Sequence, residues 1–66
     1  MTDNIAINIR NHMYKRNITQ KELARKSGYS TSYIHKICNG QYPTLNTRIL
    51  GNIAQVLGTN TGELIK

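Results

Sequence analysis

From Ser30 to Gly40 the chain reads STSYIHKICNG, and its side chains separate by chemistry as well as by position. Thr31, Ser32, His35 and Lys36 carry hydroxyl, imidazole and ammonium groups, while Ile34, Ile37 and Cys38 fall at i, i+3 and i+4 on the other side of a helix. Such a helix buries its apolar stripe and presents an edge of short donors and acceptors with one long cation. That edge suits non-covalent recognition of a polar surface such as the floor of a DNA groove. Covalent chemistry is poorly served. The acids are Asp3, Glu22 and Glu63, one near the terminus and two at helix-capping positions, which leaves no paired carboxylates and no activated nucleophile. Metal binding has one weak constellation, His35 and Cys38 three apart with His12 elsewhere. A structural zinc takes four ligands, the chain has one cysteine, and His35 and Cys38 belong to opposite helix faces. The expectation is a protein that is not an enzyme and takes no cofactor, metal or small-molecule ligand.

Those groups need a scaffold, and 66 residues provide one small hydrophobic core, so residues 1–66 are expected to form a single domain. Aliphatic residues must fill that core, because there is no Trp or Phe. The net charge is +6, and eight of the nine basic residues lie between Arg10 and Arg48, on and around the polar edge. A single cysteine cannot close an intrachain disulfide, and no apolar run approaches the roughly 20 residues of a membrane span. The N-terminus shows no signal-peptide apolar region. A reducing, cytoplasmic setting without a membrane partner is the resulting expectation.

Periodicity and capping signals predict an all-α protein of five helices, at about residues 4–16, 20–27, 31–38, 46–57 and 61–65. Ile5, Ile9, His12 or Met13, and Arg16 recur at helical intervals in the first, with Asp3 or Asn4 as its cap. Thr19 and Glu22 form a capping box for the second, which ends at Gly28, where glycine permits a left-handed reversal and Tyr29 can turn inward. Ser30 caps the third, and Asn39-Gly40 stops it. Pro43 disfavours helix at Tyr42, so Gln41 to Leu45 read as a loop. The fourth helix starts after Asn46 or after Thr44, with Leu50, Ile53, Ala54 and Leu57 as its buried stripe and Gly58 as its stop. Asn60 and Glu63 make a second capping box, and Leu64 anchors the last helix.

This ordered set resembles the phage repressor and Cro-like helix-turn-helix family: Ile18-Thr19-Gln20, Glu22-Leu23-Ala24, Gly28-Tyr29-Ser30, Ser32-Tyr33-Ile34, Ile37 with Asn39-Gly40, Ile53-Ala54, Leu57-Gly58 and Leu64. The match covers nearly the whole chain. It implies a compact five-helix bundle of the lambda-repressor-like fold, with the helix-turn-helix formed by helices 2 and 3. It also implies that helix 3 lies in the major groove of double-stranded DNA, usually within a dimer on a two-fold symmetric operator. By family position, Thr31, Ser32 and Lys36 are the base readers. Gln20 is the backbone anchor at the positive start of helix 2. Tyr33 and Asn39 join it on the backbone, with Thr47 and Arg48 added from the start of helix 4. Each has a plainer alternative. Lys36 can be a phosphate-bound or solvated lysine, Asn39 a simple cap, and Tyr33 a ring packed across the turn. Tyr29 is assigned to the core with its hydroxyl toward solvent, Tyr14 to the surface, and Tyr42 to the flank of the DNA.

One departure from the family is informative. Many members place an Arg in helix 1 and a Glu near the end of helix 3 as a partly buried ion pair, and those positions here hold Met13 and Cys38. Replacing both together avoids an unpaired buried charge, a cost of roughly 3 to 5 kcal/mol when one side alone changes. Met13 is therefore expected to pack directly on Cys38, the alternative being that Met13 is exposed and Cys38 has other neighbours. A second departure is the Gln41 to Leu45 loop, longer than common family versions.

The expected function is that of a Cro-type phage or mobile-element repressor, in a bacterial cytoplasm and associated with the nucleoid, because the chain ends where such a domain ends. An antitoxin or a restriction-modification controller of the same fold is the alternative within the class. A basic RNA-binding protein or a protein adaptor is the alternative outside it. The polar, small segment from Thr59 to Glu63, where relatives often pair, leads to the expectation of a weak homodimer stabilised on DNA.

Overall fold

The computed structural model describes residues 4–41 and 45–66. Its helices are α1 (Asn4–Arg16), α2 (Gln20–Ser27), α3 (Thr31–Cys38), α4 (Thr47–Val56) and α5 (Thr61–Leu64). The assignments of Asp3 as a cap, of Tyr42 as a DNA flank and of a loop shaped by Pro43 and Thr44 lie outside the described residues. Expected and observed boundaries differ at the last two helices. Asn46 and Leu57 are the caps of α4 rather than its ends, and Ile65 caps α5 rather than belonging to it.

Start and stop signals are written in local side chains. Thr19 Oγ1 accepts from the backbone N–H of Glu22 at 3.1 Å, Ser30 Oγ from Tyr33 at 3.1 Å, Asn46 Oδ1 from Ile49 at 2.9 Å and Asn60 Oδ1 from Glu63 at 3.0 Å. Each satisfies a donor that the first helical turn leaves unpaired. The capping boxes are half-made: the Glu22 carboxylate faces Lys26 Nζ at 3.9 Å and Glu63 faces Lys66 Nζ at 2.8 Å. A cation one turn onward attracts each carboxylate away from the helix start. The Lys66 hydrogen bond and charge hold the exposed Glu63 carboxyl below its usual range.

Four helices end by one device, a left-handed residue followed by a paired return to the helix's last carbonyls. At α1 the left-handed residue is Asn17, with φ of 57°; at α2, α3 and α4 it is Gly28, Gly40 and Gly58. Ile18, Tyr29, Gln41 and Thr59 then donate back to Met13, Ala24, Lys36 and Ala54 at 2.8 to 3.0 Å. At α3 the left-handed residue is Gly40 alone, since Asn39 has φ of −99°.

The helices close on one another in a ring: α1 packs on α3, α3 on α2, α2 on α4, α4 on α5, and α5 back on α1. Inside it, Ile9, Leu23, Ile34, Ile37, Ile53, Leu57 and Leu64 are fully buried, and no polar or charged residue among those described is buried. Burying a side chain of this kind contributes about 1.5 to 3 kcal/mol, which is how helices of 4 to 13 residues persist without much intrinsic helicity. Between His12 and Met13 the core takes Met13, and His12 is half-buried. Arg16 is exposed rather than part of the stripe, and its Nη2 donates to Gly58 O at 3.4 Å. At the closure of the ring, Asn8 Nδ2 donates to Leu64 O at 2.9 Å.

Candidate nucleic-acid interface

The site is assembled from α3 outward. Its apolar side, Ile34, Ile37 and Cys38, is fully buried, which anchors the helix and turns Thr31, Ser32, His35, Lys36 and Asn39 to solvent. Helical spacing puts Thr31, His35 and Asn39 in one row and Ser32 beside Lys36 in the next. The Gly28–Ser30 turn sets α2 against α3. Gly28 has φ of +83° with nothing within 4 Å of a hypothetical Cβ, so the need there is conformational rather than spatial.

His35 connects two residues, one on α2 and one at the end of α3. Its Nδ1 lies 3.1 Å from Gln20 Oε1 at the first residue of α2, and its Nε2 lies 3.0 Å from Asn39 Nδ2 one turn further along α3. Two residues assigned to the DNA backbone, Gln20 and Asn39, are thereby brought together through a third side chain. Helical spacing places His35 on the outer face, where the family resemblance implies no role for it. Its i, i+4 relation to Asn39 was visible in the sequence; the approach of Gln20, fifteen residues away, was not.

Tyr33 has a ring neighbour across the turn. Its ring is half-buried against Tyr29, with centroids 5.4 Å apart and planes at 61°, so it packs edge-on across the turn. Tyr29 packs on the core, and its hydroxyl, on the exposed side, accepts from Asn52 Nδ2 at 2.9 Å, which ties the turn to α4. Tyr14 is 87% exposed. Thr47 and Arg48 occupy the exposed first turn of α4, with no direct contact tying them to α3 among the described residues. Among the described residues, Lys26 and Lys66 are the cations within 4.0 Å of a carboxylate, which leaves Lys36 and Arg48 available to an outside anion.

Behind the edge, Cys38 Sγ lies 3.7 Å from Met13 Sδ, joining α3 to α1. Burial pushes the Cys38 thiol above its ordinary value, opposed by the positive charge of Arg10. A thiol in that setting is a packing group, not a nucleophile or a ready metal ligand.

The family model of the Cro/C1-type HTH DNA-binding domain matches residues 8–66. The chain belongs to this family. The helix-turn-helix of this Cro/C1-type domain is α2, the Gly28–Ser30 turn and α3. Its fold is similar to that of the clp gene regulator ClgR from Corynebacterium glutamicum, with a TM-score of 0.87 and 19% identity, over 94% of this chain and 65% of that one. It is also similar to hydroxypropylphosphonic acid epoxidase from S. wedmorenis, with a TM-score of 0.89 and 26% identity, over 97% of this chain and 34% of that one. The Cro/C1-type domain thus spans less than two thirds of the regulator and about a third of the epoxidase. No curated protein matches the chain.

Proposed function

We propose that this chain is a sequence-specific transcription regulator, a Cro-type repressor of phage or mobile-element kind, that binds a palindromic operator with α3 in the major groove. Residues 1–66 act as one domain, and the work is binding rather than catalysis. The observation that carries the reading is the exposed edge of Thr31, Ser32 and Lys36 beside the Gln20 start of α2 in a Cro/C1-type domain. Thr31 offers a hydroxyl and a methyl, Ser32 allows close approach, and Lys36 reaches guanine O6 and N7. Gln20 and Asn39 hold the DNA backbone, with Thr47 and Arg48 on the neighbouring phosphates and the Tyr33 hydroxyl as a rim contact.

Thr and Ser do not make the two-pronged contacts that Gln makes to adenine or Arg to guanine, so base discrimination rests on Lys36 and on groove shape and water. The half-exposed segment around Thr59 and Thr61 is small and polar, so pairing between two copies is weak in solution and is strengthened when both half-sites are engaged. Selection of bound sequences from a random duplex library tests the reading directly. The expected result is a two-fold symmetric site, retained at moderate salt in competition with structured RNA. No enrichment, or preferential capture by RNA, would overturn it.

A further inference from the structure

The imidazole of His35 sits on an exposed helix face with both ring nitrogens engaged, by Gln20 Oε1 at 3.1 Å and by Asn39 Nδ2 at 3.0 Å. Oε1 can only accept, so Nδ1 carries the ring proton; Nε2 is then a bare lone pair and accepts from the Asn39 amide. One tautomer satisfies both contacts, and it fixes both amides. With its oxygen committed to His35, Gln20 keeps its two amide N–H groups for another acceptor, at the start of α2 where the first backbone N–H groups have no intrahelical partner.

We propose that His35 is a positioning residue of the DNA interface: it aims the Gln20 amide at a phosphate and ties Gln20 and Asn39 into one preformed unit. This rests on the DNA-binding reading above. Without His35 each amide is free to rotate and must be ordered when DNA arrives. That ordering cost falls on affinity for every sequence rather than on the choice of bases. His35 is neutral in this arrangement and neutralises no phosphate, so its removal leaves the salt dependence of binding unchanged.

Two measurements on the full chain test the proposal. Long-range proton–nitrogen NMR of the free protein is expected to show the Nδ1–H tautomer at His35; the Nε2–H tautomer would overturn the bridge. Duplex binding is then compared for wild type, His35→Ala, Gln20→Ala, Asn39→Ala and the two double variants that contain His35→Ala. His35→Ala is expected to weaken binding roughly tenfold on all sequences, with the salt slope and the order of preferred bases retained. In the Gln20→Ala background the same change should cost much less, because the group it positions is gone. Since His35 is exposed and Ala favours helix, the variant should keep its Tm, which separates positioning from folding. Additive losses, unchanged affinity, or a loss confined to one base position would each overturn the positioning role while leaving the DNA reading in place. Absence of duplex binding by the wild type would overturn that reading, and this role with it.

Discussion

Cys38 and Met13 show how much one pair of side chains can decide. Their sulfurs are 3.7 Å apart in the core, at positions where the resemblance implies an Arg–Glu pair in many relatives. A charge placed there alone would be buried without a partner. Cys38→Glu is expected to cost roughly 3 to 5 kcal/mol in urea unfolding, and adding Met13→Arg should recover most of it. The thiol also links stability to alkaline pH. Its folded pKa lies above the ordinary 9.0, so its contribution is full below pH 9.0. It is lost as pH rises through the folded value, because the unfolded chain ionises first. Urea midpoints at pH 7 and pH 10 should therefore fall further for wild type than for Cys38→Ala. On the outer face, Lys36→Ala should relax preference at one base position while Gln20→Ala weakens all sequences alike, as read by binding to a panel of single-base operator variants. Equal effects on every site would make Lys36 a phosphate contact.

Among the elements, the helix ends show where strain and space part company. Gly28 and Gly58 both have positive φ, but a Cβ at Gly28 would meet open space, whereas at Gly58 it would come within 2.5 Å of Arg16 Nη2. Gly28→Ala should thus cost the left-handed penalty alone, about 1 to 2 kcal/mol, or a Tm drop of roughly 4 to 8 °C per kcal/mol in a domain this small. Gly58→Ala should cost only slightly more, since the exposed, flexible Arg16 guanidinium can swing aside at the loss of one exposed 3.4 Å hydrogen bond. In an Arg16→Ala background the two glycine substitutions should cost about the same, and thermal unfolding of the four variants checks it. The starts of α2, α3 and α5 were legible because a cap and the donor it satisfies lie within four residues of each other. The reciprocal arms at Glu22 and Glu63 were not, because they compete with Lys26 and Lys66, and rotamers rather than spacing settle that contest.

For the whole molecule, the net charge of +6, together with Lys36 and Arg48, which face no carboxylate among the described residues, sets the long-range behaviour. Log affinity for duplex DNA should fall linearly with log salt, with a slope of about −0.9 per phosphate neutralised, and titration from low to moderate salt measures it. The sequence by itself determined the five helices, the inward stripes of α2, α3 and α4 and the polar edge of α3, because helical period and caps are local and act within a turn or two. Only the tertiary structure decided that Tyr33 turns to Tyr29 and that Arg16 reaches Gly58. The same holds for Asn8 reaching Leu64 across 56 residues and His35 standing between Gln20 and Asn39. Those contacts depend on how the helices cross as the ring closes. Periodicity says which way a side chain faces, and packing alone says what it meets there.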